Sequence, residues 1–365
     1  MRTLLSIAIV LAMARTAQAV PCDQVPGLTN PVYLQVGDTQ ANLMKRLGRA
    51  LRDNTGNRLS LVWITSGSCT NITAIYTRVA IPAGTSMQYV ESSSENPTWT
   101  PATPNKTCEA PAGGLVPDIA NSALFNSACT TAPPPATVKL TMGPVQAYVM
   151  AVPIASSQRA ITFEEAYFVF GFGMAGMIEP WMNEAQLFIR TVTKSTLLAW
   201  AANISVPADK WKGVRHDGSP MVVSSLQTST SPQQAIGILG AEVYDGLRSS
   251  LAQLAYRAKG QQAAYFPDST STSRDKKNVR DGHYTVWSPT VWMDTTDAAG
   301  VPVKAAARYA VDLIAGRSVT PAPSFDMIDV IAAVGLVPDC AMGVKREFEG
   351  GPLSIYKPAE SCVCK

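Results

Sequence analysis

The sequence predicts a parallel α/β protein, because short apolar strands alternate with helical patterns along the chain. The segments Val32–Leu34 and Ser60–Thr65 have strand character, and the helical patterns Thr39–Asp53 and Thr70–Val79 follow them. Repeated strand-turn-helix units build a parallel sheet that is covered by helices. The length of 365 residues and the hydrophobic content of 46% provide enough apolar surface for about one to three compact domains.

The same alternation continues towards the middle of the chain. Thr162 is a helix N-cap, and Glu164 and Glu165 follow in the first turn, where carboxylates suit the helix dipole. Ser92–Gly114 is rich in Ser, Thr, Pro and Asn and is predicted to be a surface excursion. The remaining predicted strands are Val116–Ala120, Val138–Met142, Gln146–Pro153, Leu187–Arg190 and Ala235–Leu239, and the remaining predicted helices are Phe163–Phe170 and Ser195–Ala202.

The N-terminus predicts export. Residues 1–19 combine Arg2, an apolar run over Leu4–Met13 and the ending Ala17-Gln18-Ala19, which is the pattern of a cleaved signal peptide. A membrane anchor is the alternative, but it needs a longer apolar run. The predicted product is soluble and periplasmic or extracellular. Removing Arg2 and Arg15 lowers the net charge from +3 to +1, which gives no general reason to bind nucleic acid or a membrane surface.

Export favours disulfides as the role of the seven cysteines, although the spacing does not give their connectivity. No cysteine lies between Cys129 and Cys340, so the middle of the chain is predicted to be free of crosslinks, and disulfides could join its two ends. The odd number predicts one unpaired thiol. The cysteines are Cys22, Cys69, Cys108, Cys129, Cys340, Cys362 and Cys364.

The sequence does not favour an enzyme, a metal site or a cofactor site. It contains no Walker A loop, no His-Glu-x-x-His pair and no Gly-x-Ser-x-Gly elbow. The two histidines are His216, in a predicted exposed turn, and His283, which is predicted to be structural. A secreted hydrolase using His283 as a base stays an alternative, and it requires a serine, threonine or carboxylate beside that imidazole.

Three polar turns, each at the start of a helical pattern, predict an anion site. They are Asp38–Gln40, Thr65–Asn71 and Thr193–Thr196. Helix N-termini present unpaired N–H groups and the positive end of the dipole. Arg190, five residues before Ser195, could add a guanidinium to the same oxyanion. The alternative is that the hydroxyls only cap helices and form turns. The candidate ligand-binding residues are Thr39, Ser66, Gly67, Ser68, Thr70, Arg190, Ser195 and Thr196.

These motifs, taken in order, resemble those of type II periplasmic solute-binding proteins, and most closely the phosphate-binding components of ABC transporters. The resemblance covers about residues 32–244 and adds Ser122 to the candidate ligand-binding residues. It rests on the Gly-Ser-rich turn Ser66–Thr70, the strand end Asp118–Ser122, the strand Val149–Pro153, the helix Ile161–Gly171, Arg190 followed by Ser195-Thr196, and the strand Ala235–Ile238.

The resemblance implies two α/β lobes with a central cleft and two interlobe crossovers. It places lobe 1 at residues 20–150 and 245–365 and lobe 2 at residues 151–244. The implied function is capture of a small, phosphate-like oxyanion by hinge closure, with an ABC permease as a suggested partner and a monomer as the expected state. The alternative is a secreted structural or interaction protein on the same scaffold, without a transported ligand.

Two features depart from the family pattern. The family's phosphate binders have a carboxylate just after the serine of the Asp-to-Ser strand, and this chain has Ala123 there. The segment Tyr265–Tyr284 has no counterpart in the family. It is predicted to be an exposed loop held by Asp–Arg pairs, or alternatively a cleft or partner surface.

Overall fold

The computed structural model describes residues 20–362, so the predicted signal peptide and Cys364 lie outside the described residues. The strands are β1 Pro31–Gly37, β2 Ser60–Ser66, β3 Ser86–Tyr89, β4 Lys106–Glu109, β5 Ile119–Ser122, β6 Val138–Pro153, β7 Ala160–Thr162, β8 Leu187–Arg190, β9 Val214–His216, β10 Ile236–Gly240, β11 Leu251–Gln253, β12 Ala255–Arg257, β13 Trp287–Thr295, β14 Val344–Lys345 and β15 Ser354–Ile355. The helices are α1 Ala41–Asp53, α2 Ser68–Thr77, α3 Phe163–Phe172, α4 Ser195–Ile204, α5 Ser219–Thr228, α6 Ala241–Asp245, α7 Lys277–Arg280, α8 Ala305–Ile314 and α9 Met327–Ala332.

One large mixed sheet organises the molecule, in the order β4-β3-β2-β1-β5-β13-β6-β10-β8-β9. Strand β1 pairs in parallel with β2 and β5, and β8 pairs in parallel with β9 and β10. The two parallel groups are joined by β6 and β13, which run antiparallel to their neighbours. The parallel prediction therefore holds within each group but not at the centre of the sheet.

Strand β6 continues through the break that separates the two predicted strands, Val138–Met142 and Gln146–Pro153. The break falls at Gly143-Pro144, opposite an irregularity in β13 between Pro289 and Val291. A Cβ atom on Gly143 would lie 2.7 Å from the Trp292 indole, so the glycine lets the two strands approach closely. The single 16-residue strand connects the two halves of the sheet.

The two largest hydrophobic cores of the described residues flank this sheet. The first core packs α1, α8 and α9 against β1 and β2, and it includes the fully buried Trp63 and Trp292. The second core packs α3, α4 and α5 against the later part of β6 and against β8 and β10, and it includes Phe170 and Trp200. The predicted lobe boundaries stay a prediction. The second core also contains residues after position 245, namely Leu251, Leu254, Tyr256, Val279, Tyr284, Val286 and Trp287.

Six cysteines form three disulfides within the two ends of the chain. The pairs are Cys22–Cys108, Cys69–Cys129 and Cys340–Cys362. The sequence left open whether disulfides join the two ends of the chain. Within the described residues, no disulfide joins the N-terminal cysteines to the C-terminal ones. Cys362 packs in the second core, so the position of a cysteine along the chain does not show which core it joins.

Two predicted loops are more ordered than expected. Residues 92–114 contain β4, which pairs with β3, and Cys108 on β4 is fully buried beside its disulfide partner. In residues 265–284, Asp268 is fully buried and forms ion pairs with Arg248 and Lys276, while residues 269–273 are exposed or partly exposed. The predicted Asp–Arg pairing therefore occurs, but it fixes a buried anchor under the exposed part of the loop.

Candidate functional site

The candidate site lies where the carboxyl ends of the parallel strands of both halves of the sheet meet. Strands β1, β2 and β5 end there from one half, and β8, β9 and β10 end there from the other. In open α/β sheets, ligands bind in the crevice outside the carboxyl ends of the strands. The order and direction of the strands alone therefore indicate that this region is the candidate site.

An ion pair between Asp38 and Arg190 joins the two halves. Asp38 follows β1 directly, and Arg190 is the last residue of β8. The Arg190 side chain is fully buried, whereas the Asp38 side chain is 21% exposed. The Nη2 group of Arg190 donates to Oδ2 of Asp38 at 2.9 Å. A guanidinium with no solvent contact needs a countercharge, and Asp38 provides it.

The same carboxylate oxygen also binds the start of α5. Oδ2 of Asp38 accepts from the backbone N–H of Ser219 at 3.2 Å and from its hydroxyl at 3.0 Å. Arg190 donates in turn to the Ser219 hydroxyl at 2.7 Å and to the backbone oxygen of Asp217 at 2.7 Å. A helix N-terminus, a serine hydroxyl and a guanidinium together form an oxyanion site, and its occupant is a carboxylate of the chain itself.

The start of α2 lies against the turn that precedes α4. The Cys69 N–H donates to the Thr193 carbonyl oxygen at 3.3 Å. A Cβ atom on Gly67 would lie 2.8 Å from that oxygen, so glycine is required for this approach. One of the free N–H groups predicted at the start of α2 is thus bonded to the opposite half of the sheet.

The serines at the start of α2 and at the end of β5 are bonded to the nearby backbone. The hydroxyl of Ser68 accepts from the Ala123 N–H at 3.1 Å, and the hydroxyl of Ser122 donates to the Leu124 carbonyl oxygen at 2.8 Å. The Tyr148 hydroxyl donates to the Ala123 carbonyl oxygen. Burial raises the pKa of Tyr148 well above its usual value, so the phenol keeps its proton.

Most of the predicted site residues gather here. Thr39, Ser68, Ser122, Arg190, Ser195 and Thr196 are buried, Gly67 packs against Thr193 and Ser66 is partly exposed. Thr70 is exposed on α2 and is the predicted residue that the structure places away from this buried group. The Thr196 hydroxyl is buried without a hydrogen-bond partner among the described residues.

Two residues of the site, Asp38 and Ser219, are not among the predicted ligand-binding residues. Asp38 belongs to a predicted polar turn, but its carboxylate carries the same sign of charge as the predicted ligand, so the sequence gives no reason to place it against Arg190. Ser219 precedes Pro220, and Ser-Pro at the first turn of a helix is a recognisable start signal.

A chain of buried amides and a carboxyl group continues from the ion pair. Gln40 donates to the Gln146 side-chain oxygen at 3.1 Å, and Gln146 donates to the Glu242 carboxyl. Burial, together with the nearby Asp38 carboxylate, raises the pKa of Glu242 to about 8. One oxygen of Gln40 and one of Glu242 have no partner among the described residues.

A second buried carboxyl comes from the C-terminal part of the chain. Both oxygens of Glu349 accept from the Ser288 hydroxyl, each at 2.7 Å. Burial raises the pKa of Glu349 to about 7, against the opposing effects of the Ser288 hydrogen bond and of Arg346. The residue as a whole is partly exposed.

The histidines do not form a triad. Nδ1 of His283 lies 2.7 Å from the Asp281 carboxylate on an exposed loop, so the nearby carboxylate that the hydrolase alternative requires is present. Nε2 of His216 lies 3.2 Å from the Ser225 hydroxyl. Burial and the charge of Arg190 lower the pKa of His216. Neither histidine combines a hydroxyl partner with an orienting carboxylate among the described hydrogen bonds.

Comparison with solved structures decides the fold. The chain is similar to a protein described as a phosphate ABC transporter substrate-binding protein, with bound phosphate, from Clostridium perfringens. The TM-score is 0.57 at 13% identity, over 85% of this chain and 99% of that one. It is also similar to an ABC-type phosphate transport receptor from Vibrio cholerae, with a TM-score of 0.51 at 11% identity, over 85% and 100% of the two chains.

The chain has the type II periplasmic binding protein fold. The expectation drawn from the ordered motifs is thereby confirmed for the fold. No family model matches the sequence, and a search of curated proteins found no match. Among residues 20–362, no helix is both long enough and apolar enough to cross a membrane.

Proposed function

We propose that the protein binds a small oxyanion between the two halves of its sheet, with Arg190 and the start of α5 as the central donors. The observation that carries the proposal is the Asp38 carboxylate, one oxygen of which accepts from Arg190 and from two groups of Ser219. Phosphate and sulfate oxygens are acceptors of the same chemistry as a carboxylate oxygen. The donors are therefore already arranged around an oxygen of the kind that such a ligand would bring.

Asp38 would compete with the ligand. An oxyanion reaching Arg190 has to displace the carboxylate or bind beside it, where the like charges repel. Binding would accordingly begin in an opened form, in which Asp38 and Arg190 have separated. Phosphate is the first ligand to test, because one of the structures with this fold contains it.

Calorimetric titration of three variants tests the proposal. Wild-type protein and the Asp38→Asn and Arg190→Met variants are titrated with phosphate, sulfate and other small oxyanions. We expect binding by the wild type, affinity at least about tenfold higher for Asp38→Asn because the competing charge is gone, and no binding by Arg190→Met. No heat from either the wild type or Asp38→Asn would remove this function.

A second candidate is a secreted interaction protein that keeps the scaffold without a transported ligand. The observation in its favour is that the chain itself satisfies the predicted donors, as when the Thr193 carbonyl oxygen accepts from the start of α2. On this reading, Asp38→Asn changes stability and no oxyanion binds. The same titrations therefore separate the two candidates.

The proposal also covers the compartment to which the protein is exported, the protein that it delivers its ligand to, and its oligomeric state. We infer a protein of the periplasm or the extracellular space, without catalytic activity, that acts as a monomer and delivers its ligand to an ABC permease. Mass spectrometry of the secreted protein tests the export step, since cleavage after Ala19 leaves Val20 as the first residue. Retention of the full N-terminus would contradict it.

A further inference from the structure

Arg346 differs from the other buried cations of the described chain. Four lysines and arginines besides Arg346 are buried, and each has a carboxylate partner: Arg52 with Glu95, Arg190 with Asp38, Lys194 with Asp217, and Lys276 with Asp245 and Asp268. Arg346 is 5% exposed and forms no ion pair with any carboxylate within residues 20–362. A buried guanidinium that is not hydrogen-bonded to a carboxylate is costly, so this position requires an explanation.

The hydrogen bonds of Arg346 are also incomplete. A guanidinium has five N–H groups. The side-chain bond that the structure records for Arg346 runs from Nη2 to the Thr285 carbonyl oxygen at 2.7 Å, while Nε and Nη1 are buried without partners. The guanidinium lies over the Trp287 ring, 4.3 Å from its centroid. Stacking on an indole stabilises the cation but satisfies none of its N–H groups.

The neighbours of Arg346 add further donors. The Thr285 hydroxyl and the Trp287 indole N–H are buried and have no partner among the described residues. Glu349 is the nearby acid, but both its oxygens accept from the Ser288 hydroxyl. The surroundings thus combine one positive charge with several buried donors that have no partner among the described residues. The charge of Glu349 acts on Arg346 through space, but no hydrogen bond joins the two among the described residues.

We propose that Arg346 anchors a buried binding site for a small monatomic anion of the size of chloride. Such an ion accepts N–H and O–H groups from several directions, which suits a guanidinium, an indole N–H and a hydroxyl that belong to different side chains. Tyr284 and Val286, which flank Thr285 in the sequence, belong with Trp287 to the apolar second core, where a buried anion needs several donors. The donors of this site, on Arg346, Thr285 and Trp287, are different from those of the proposed oxyanion site, on Arg190 and Ser219.

Crystals of the full mature protein grown in sodium bromide test the site directly. We expect an anomalous bromide peak in contact with the Arg346 guanidinium. Ordered water at that position, or the Glu349 carboxylate turned onto Arg346, would overturn the proposal, because either would supply the missing partner without an anion.

Thermal unfolding in matched salts provides the solution test. At equal ionic strength, replacing sodium gluconate by sodium chloride should raise the melting temperature of the wild type by roughly 2–4 °C. Arg346→Met should lose this difference, and Arg52→Met, which changes an equally buried but paired arginine, should keep it. Equal halide responses of the wild type and Arg346→Met would contradict the proposal.

If Arg346→Met does not fold, Arg346→Lys keeps the charge with fewer donors and should show a smaller halide response. The halide response is also independent of the oxyanion result, since Arg190→Met should lose oxyanion binding and keep the response to chloride. Failure of one proposal can therefore be told apart from failure of the other.

Discussion

At the scale of single residues, the Asp38 carboxylate stabilises a guanidinium that water does not reach. Three donors converge on one of its oxygens, and two of them come from the first residue of α5. Truncating one member of a buried ion pair usually costs more than the pair contributes, because the remaining charge stays buried and unpaired. Arg190 is the member without solvent access, so the loss of Asp38 is the informative change.

We expect Asp38→Asn to lower the free energy of unfolding by about 3–5 kcal/mol. The amide keeps the shape but not the charge that neutralises Arg190. Phosphate or sulfate should restore part of the loss in urea unfolding experiments, since either can replace the missing countercharge. Asp209→Asn is the control: its exposed pair with Lys210 should contribute less than about 1 kcal/mol. A loss for Asp38→Asn no larger than that of the control would contradict the role of Asp38.

Glu242 predicts a pH dependence of stability. Its folded pKa of about 8 exceeds its ordinary value of 4.5, so the folded chain holds a proton that the unfolded chain releases between those values. The free energy of unfolding should therefore fall as the pH rises from 4.5 to 8 and then level off. The contribution of this residue to the fall is on the order of 5 kcal/mol.

The Glu242→Gln variant isolates this contribution. Glutamine does not titrate, so the fall between pH 4.5 and pH 8 should become smaller by the contribution of Glu242. Urea unfolding at several pH values measures it, and Glu347→Gln serves as a control on an exposed glutamate. A wild-type pH profile that Glu242→Gln leaves unaltered would show that the carboxyl is not protonated in the folded protein.

At the scale of elements, the predictable parts are those in which local pattern and packing agree. The N-cap predicted at Thr162 is present, and the structure adds a full capping box: the Thr162 side chain accepts from the Glu165 N–H, and the Glu165 side chain accepts from the Thr162 N–H. Strand β13 was missed. Its sequence Trp287–Thr295 contains a proline and polar residues, yet it is buried because β5 and β6 pair with its two edges. Its conformation depends on partners that are distant in the sequence.

The disulfide Cys340–Cys362 closes a loop that contains Arg346 and Glu349. Closing a loop of this length stabilises a protein by roughly 3 kcal/mol. We expect the double variant Cys340→Ser/Cys362→Ser to lose about that much free energy of unfolding and to be cleaved faster within residues 341–361 in limited proteolysis. Changing both cysteines together leaves no new thiol. Cleavage at the wild-type rate would show that packing alone holds the loop.

At the scale of the whole molecule, the candidate site depends on a contact between turns that are far apart in sequence. The sequence identified both turns, 66–70 and 193–196, as helix starts. It could not show that the Thr193 carbonyl oxygen bonds to the start of α2 or that Asp38 reaches Arg190. Both contacts depend on how β6 and β13 bring the two halves of the sheet together, and no local pattern encodes that arrangement.

Gly67→Ala tests whether this approach of the two halves is needed for binding. The added Cβ would lie 2.8 Å from the Thr193 carbonyl oxygen, a distance that forces the two turns apart. We expect a larger radius of gyration in small-angle X-ray scattering and oxyanion binding weaker by about tenfold or more, because the donors of the two halves no longer converge. Gly113→Ala, where a Cβ meets nothing within 4 Å, is the matched control and should change neither quantity. If Gly67→Ala scatters and binds like Gly113→Ala, the contact between the turns does not control closure, and the ligand site must lie on one half of the molecule alone.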